Sequence, residues 1–134
     1  MMNCAPPEEA SLESVLSLVT YLDIEAGLLY SGGDREIYVE TLRYFDHKLR
    51  EDLTGIQALV QQQSWDQARR QFHSMRGMSG AVGAVRLQKA CGELETLLAH
   101  GDLAGVNELM SRFELEVEWV LSDLARLHAV KLAS

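Results

Sequence analysis

The chain has 134 residues, of which 47% are hydrophobic, and it carries a formal net charge of −8 at pH 7. This length fits one domain that can bury a core without staples, and the acidic balance argues against nucleic-acid binding through a general electrostatic footprint. The apolar runs are too short to span a bilayer, no signal peptide opens the chain, and the two cysteines form no disulfide framework. These features predict a cytoplasmic domain that makes no membrane contact.

The N-terminal residues 1–10 contain two prolines followed by two glutamates, which predicts a flexible leader or a linker remnant. A single domain is expected over residues 11–130. Residues 23–30 should add one or two helical turns, and the glycines at 32 and 33 should then break the helix. A short amphipathic helix is predicted before them, from apolar residues at helical spacing: Leu12, Val15, Leu16, Val19 and Leu22.

Four longer amphipathic helices follow, since apolar residues recur every three or four positions in each of them. Helices joined by turns of two or three residues run antiparallel to their sequence neighbours. The predicted fold is therefore all-α, an antiparallel up-down-up-down four-helix bundle with an additional short N-terminal helix. The helix boundaries are taken from the cap Asp34, a Ser64–Gln67 capping box, the Gly83–Ala84 turn, the C-cap Gly101 and the cap Asp102.

The second long helix carries a histidine in an unusual setting. His73 shares its helix face with Arg76 and Gly77, which follow it by three and four positions. Each glycine inside a helix lowers its stability by about 1 kcal/mol relative to alanine. A functional need for another molecule to reach the imidazole would explain why glycines are present here. The alternative is that the glycines let a neighbouring helix pack closely or fray a helix end. Further groups on nearby turns are Arg69, Arg70 and Gly80.

Positive charge is concentrated around this histidine. Residues 67–92 contain five basic residues and no acidic residue. The net charge of this segment is therefore +5, and that of the remainder of the chain is −13. A positive island on an acidic body suits a negatively charged ligand or partner surface. A solvated basic face is the alternative explanation.

Glu95 is predicted to lie beside His73. Both residues are eleven positions from Ala84, so they stand at the same height on adjacent antiparallel helices, about 16 Å from the turn. A carboxylate that accepts a hydrogen bond from Nδ1 sets the imidazole tautomer and leaves the lone pair of Nε2 free for attack. Alternatively, Glu95 is a solvated partner of Arg70 or Arg76.

The sequence His-x-x-Arg-Gly at 73–77, followed by Ser79, Gly80, Val82 and Gly83, resembles the phospho-acceptor signature of histidine-containing phosphotransfer (HPt) domains. These domains serve bacterial multistep phosphorelays, and the resemblance extends from about residue 20 to 127. The usual lysine three positions after the histidine is arginine here. The resemblance implies that His73 accepts a phosphoryl group from a receiver-domain aspartyl phosphate and passes it to another receiver. It also implies catalytic roles for Arg76, Gly77 and Glu95, and phosphate or partner contacts by Arg69, Arg70 and Gly80.

The same resemblance implies receiver domains and a sensor histidine kinase as partners. It implies a monomer without a cofactor or metal of its own, because Mg²⁺ is expected on the receiver. No Walker-type loop is present, so we expect a phosphoryl carrier rather than an enzyme, either free or part of a larger hybrid kinase. Two alternatives stay open: the phospho-acceptor domain of a chemotaxis-type kinase, and a non-catalytic helical adaptor.

Overall fold

The computed structural model describes residues 9–128 and 131–132. Within these ranges the fold is helical, apart from one parallel pair of two-residue strands. Residues 1–8 of the predicted leader lie outside the described residues. The elements are β1 (Glu9–Ala10), α1 (Leu12–Leu16), α2 (Ile24–Tyr30), α3 (Arg35–Gln61), α4 (Trp65–Val82), α5 (Val85–Ala99), α6 (Leu103–His128) and β2 (Lys131–Leu132).

The four long helices, α3 to α6, pack around one core. Helix α4 contacts α3 and α5, and α6 contacts α5 and α3. Each helix buries most of the apolar stripe that its periodicity predicts, although Leu103 at the start of α6 is exposed. In α4 the buried residues are 68, 72, 75, 79 and 82, and Trp65 is partly buried. Near the middle of the bundle, the rings of Phe72 and Phe113 meet edge to face, with centroids 5.2 Å apart. None of the helices in the described ranges combines the length and apolar character needed to cross a membrane.

The predicted caps are present at α3 and α6 but not at α4. Asp34 accepts hydrogen bonds from two backbone N–H groups in the first turn of α3, and Asp102 accepts one in the first turn of α6. The capping box predicted at Ser64 is wrong, because the Ser64 side chain accepts no hydrogen bond although the residue precedes α4. Its ψ of 69° departs from the extended conformation in which an N-cap hydroxyl reaches the helix N–H groups.

The first helix is shorter than its apolar spacing predicts. Helix α1 ends at Leu16, whereas the predicted stripe continues to Leu22. A buried carboxylate accounts for the difference: Asp123 of α6 accepts the backbone N–H groups of Thr20, Tyr21 and Leu22 at 2.6–3.1 Å. Those N–H groups cannot serve a helix at the same time.

Helix α2 packs against the C-terminal end of α4 and holds the turn to α5. The Tyr38 hydroxyl of α3 donates to the Val82 carbonyl at 2.8 Å, and the Asp23 N–H donates to the Gly83 carbonyl at 2.8 Å. Gly83 has a φ of +86°, and a Cβ there would lie 2.0 Å from the Asp23 carbonyl oxygen. These contacts set the residue at which the chain turns, and therefore the register of α4 against α5.

Candidate functional site

His73 lies on the outer face of α4. Its chain neighbour Phe72 and the nearby Met75 are fully buried in the core, whereas the His73 side chain is 64% exposed. The difference follows from the helical repeat, which places residue 73 beside the buried stripe rather than on it. The imidazole is therefore open to another molecule.

Glu95 of α5 is the hydrogen-bond partner of this imidazole. Its Oε2 lies 2.7 Å from His73 Nδ1, and its side chain is only 17% exposed. The contact confirms the geometric prediction made from the turn at Ala84. With a proton on Nδ1 donated to the carboxylate, Nε2 carries the free lone pair.

Arg76 contacts the second oxygen of the same carboxylate. Its Nη1 lies 3.2 Å from Glu95 Oε1, and the Arg76 side chain is 45% exposed. No donor among the described residues is aligned on Oε1 as a hydrogen bond, so this contact is an ion pair. Glu95 thus contacts both His73 and Arg76, the partners that the sequence analysis gave as alternatives.

Arg69 and Arg70 lie one turn before His73 but are engaged elsewhere. Both donate to Asp66 of the same helix, with Arg69 Nη2 3.2 Å from Oδ1. The pKa of Asp66 is lowered, mainly by the hydrogen bond from Arg70 and then by that from Arg69. Among the three predicted arginines, Arg76 is therefore the one that contacts the carboxylate beside His73.

Gly77 and Gly80, the two glycines predicted to give access to the imidazole, differ in the space around them. A Cβ at Gly77 would meet nothing within 4 Å, as expected for an open approach. At Gly80 the expectation of open space is wrong, because a Cβ there would lie 2.5 Å from Nε2 of Gln88 on α5. The space beside Gly80 is filled by the neighbouring helix.

The sequence reasoning missed two residues of α5 that border the site, Gln88 and Gly92. The side chain of Arg76 passes over Gly92, where a Cβ would lie 3.3 Å from Arg76 Cδ. A signal for both was present, because Gly92 and Arg76 are each eight residues from Ala84, and Gln88 and Gly80 are each four. The same arithmetic that selects Glu95 selects these two pairs.

The other histidines lie apart from the pair of His73 and Glu95 and have local partners. Within residues 9–128 and 131–132, no group of three or more His, Cys, Asp or Glu side chains is placed to hold a metal ion. The pairings are His47 with Glu51, His100 with the carbonyl of Thr96, and His128 with Asp46.

Comparison with known proteins identifies the family. The family model described as "Hpt domain" matches residues 40–127, about two thirds of the chain. The chain belongs to the HPt domain family. HPt domains are the histidine phosphotransfer domains of phosphorelays, so this chain takes part in two-component signal transduction. Its partners are receiver domains.

The match contains the whole of α4 and α5, with His73 and Glu95. It begins within α3, so the resemblance predicted for residues 20–39 stays a prediction. No curated protein and no solved structure matches the chain in these comparisons.

Proposed function

We propose that His73 is the phospho-acceptor of this HPt domain. Its Nε2 attacks the phosphorus of a receiver's aspartyl phosphate in line, an N–P bond forms, and the bond from phosphorus to the aspartyl oxygen breaks. The reverse step passes the phosphoryl group to the aspartate of a second receiver. The observation that carries the proposal is an exposed imidazole whose Nδ1 is held 2.7 Å from a shielded carboxylate.

The surrounding residues have distinct proposed roles, since phosphoryl transfer depends mostly on positioning and charge stabilisation. Glu95 orients the imidazole, and Arg76 supplies positive charge beside the phosphoryl group. Gly77 leaves room for the receiver. Arg69 and Arg70 would add charge only after releasing Asp66. Gly80 would contribute through its packing against Gln88 rather than through open space.

The chain acts in this proposal as a monomeric carrier in the cytoplasm. It receives phosphate within a relay that begins at a sensor histidine kinase, and it is either free or part of a larger hybrid kinase. It needs no cofactor of its own, since Mg²⁺ is expected on the receiver, and it makes no contact with nucleic acid or membrane. An antiparallel up-down-up-down arrangement of α3 to α6 belongs to the proposal. It is supported by the contact between His73 and Glu95, which are equally far from the turn.

The test is phosphate uptake from a receiver phosphorylated with labelled phosphate. The unmodified chain should gain acid-labile, base-stable phosphate. His73→Gln should gain none while keeping its circular dichroism and its midpoint of thermal unfolding. His47→Gln, at an exposed histidine on α3, is the matched control and should take up phosphate normally.

Phosphate on the His73→Gln variant would contradict the assignment. No uptake by the unmodified chain from any receiver of the source organism would favour an adaptor that has kept the fold without the chemistry. A parallel incubation with a kinase and ATP but no receiver distinguishes direct phosphorylation by a chemotaxis-type kinase from transfer by a receiver. Phosphate uptake in that incubation would favour the chemotaxis-type kinase.

Gly77→Leu tests the proposed access to the imidazole. The new side chain has open space around it and should not weaken the helix, because leucine has the higher helix propensity. Transfer should nevertheless slow by on the order of 100-fold, since a bulky neighbour displaces the receiver's phosphoryl group from Nε2. Gly55→Leu is the control, at a glycine of α3 that is equally open. Normal transfer by Gly77→Leu would refute the access argument.

A further inference from the structure

Helices α4 and α5 meet along a row of three residue pairs beside the imidazole. In each pair the two residues are equally far from Ala84. One pair is the hydrogen-bonded contact already described, and in the other two a long side chain of one helix lies over a glycine of the other. The pairs are His73 with Glu95, Arg76 with Gly92, and Gly80 with Gln88.

In the middle pair, the Arg76 side chain lies close against Gly92. A Cβ built on Gly92 would lie 3.3 Å from Arg76 Cδ and 3.8 Å from Arg76 Nη1. The first distance is shorter than ordinary van der Waals contact, so a side chain at position 92 would push the arginine outward. The Nη1 atom displaced in this way is the atom that lies 3.2 Å from Glu95 Oε1.

The surroundings of Gly92 make this effect specific. Apart from the backbone of its own helix and its chain neighbours, Arg76 supplies all the described atoms within 4 Å of the built Cβ. A substitution there does not enter the core directly. The side chain that it meets first is that of Arg76.

We propose that Gly92 is a positioning residue for phosphoryl transfer: it provides the space in which Arg76 lies across α5 and reaches Glu95 beside His73. The inference rests on the proposed function of His73. With Arg76 held there, a guanidinium stays on the approach to the imidazole, and one oxygen of Glu95 is paired while the other orients Nδ1. With the space filled, the guanidinium moves away from Glu95 and leaves the phosphoryl group less well neutralised.

The experiment is a double-mutant cycle on the whole chain. Gly92→Leu should slow phosphate uptake from a phosphorylated receiver by roughly 10- to 100-fold, since a displacement of about 1 Å in a reacting geometry can cost about 100-fold. Gly92→Ala should have a smaller effect in the same direction. In the Arg76→Gln background, Gly92→Leu should change the rate less than about twofold, because the side chain through which it acts is absent. Gly55→Leu is again the control for a glycine-to-leucine change on a helix.

A second measurement does not depend on transfer. The Nε–H resonance of Arg76 in the NMR spectrum should shift in Gly92→Leu, and its hydrogen should exchange faster with water, but not in Gly55→Leu. An unchanged Arg76 resonance would overturn the proposal. So would an equal slowing by Gly92→Leu with and without Arg76, which would place the effect at receiver docking. If the chain takes up no phosphate at all, the proposed function fails, and the Arg76 resonance still decides whether Gly92 positions that side chain.

Discussion

A carboxylate with both oxygens engaged holds the imidazole of His73 in one orientation. Glu95 is mostly shielded from water, with one oxygen on His73 and the other on Arg76. Two contacts from different residues leave its side chain little rotamer freedom, so the hydrogen bond to Nδ1 is prepared before a receiver arrives. Such preparation is a principal source of rate in reactions that depend on positioning.

Substitution of Glu95 should separate its geometry from its charge. Glu95→Ala removes the acceptor of Nδ1 and should slow phosphate uptake by roughly 10- to 100-fold. Glu95→Gln keeps an acceptor oxygen for Nδ1, so its rate of phosphate uptake should fall much less. Imidazole ¹⁵N chemical shifts provide the check, because they report which ring nitrogen carries the proton. The idea fails if Glu95→Ala leaves both the tautomer and the transfer rate unchanged.

Cys91 lies behind the site with a strongly perturbed thiol. Burial raises the pKa of Cys91 to about 12, and the nearby Glu95 adds to the rise. Its folded pKa therefore exceeds its unfolded one, and the stability that this difference contributes is complete below about pH 8.5. That contribution is lost as the pH rises from there toward 12.

The free energy of unfolding should accordingly fall between pH 8 and pH 10 more steeply in the unmodified chain than in Cys91→Ala. In a Cys4→Ser background, iodoacetamide at pH 8 should alkylate Cys91 slowly in the folded chain and rapidly in denaturant. Fast alkylation of the folded chain would show that the thiol is not buried.

The hairpin of α4 and α5 is the element on which the site geometry depends. A shift of its turn by one residue would separate His73 from Glu95, because both are placed by their distance from Ala84. Gly83 holds the turn in two ways: its φ is +86°, and its Cα approaches the carbonyl oxygen of Asp23 so closely that no Cβ fits. Helix α2 therefore supports the site without contacting His73.

Gly83 and Gly101 both have a left-handed backbone conformation, so alanine substitutions at the two positions test how much the contact of Gly83 with Asp23 stabilises the turn between α4 and α5. Gly101 has a φ of +73° with nothing within 4 Å of a built Cβ, so Gly101→Ala should cost about 1 kcal/mol from backbone strain alone. Gly83→Ala adds the clash with Asp23 and should cost more than about 2 kcal/mol. Urea unfolding measures both. Equal losses would mean that the contact with α2 contributes nothing.

Charge in the whole molecule is arranged differently from charge along the chain. The basic island of residues 67–92 meets acids from outside that window: Asp66 pairs with two of its arginines, and Glu116 of α6 with a third. Arg86 lies 3.0 Å from the buried Glu116, and its guanidinium stacks over Tyr21 and Trp119. Arg86 is thus part of the packing between α5 and α6, whereas Arg69 and Arg70 are paired within α4.

Residues 20–22, the lead-in segment, donate three backbone N–H groups to one carboxylate of α6. Asp123 is fully buried and accepts three consecutive N–H groups from residues 20–22, so Asp123→Ala leaves those groups without their acceptor. The loss should be about 3 kcal/mol or more. Asp102→Ala, at the exposed cap of α6, is the control and should lose about 1 kcal/mol. Urea unfolding compares the two.

The lead-in segment should also detach before the bundle unfolds in Asp123→Ala. Tyr21 stacks on Trp119 with ring centroids 5.0 Å apart, so Trp119 fluorescence in a Trp65→Phe background should change at lower urea than the helical signal. A single coincident transition, with no greater loss than in Asp102→Ala, would show that the anchor is not needed.

Local pattern was enough to predict the helices α3 to α6 and the pairing of His73 with Glu95. Periodicity acts within one helix, and a turn of two residues makes the register of its two helices a matter of counting. The open space at Gly77 was predicted because Gly77 shares its helix face with His73, and this face of α4 lies beside the buried stripe.

The tertiary structure alone decided the features that depend on side chains meeting across elements. Asp123 ends the first helix early, Gln88 fills the space at Gly80, and Gly92 receives Arg76. The physical reason is that hydrogen bonds and close packing between elements depend on positions in space, which the spacing of residues along one helix does not specify.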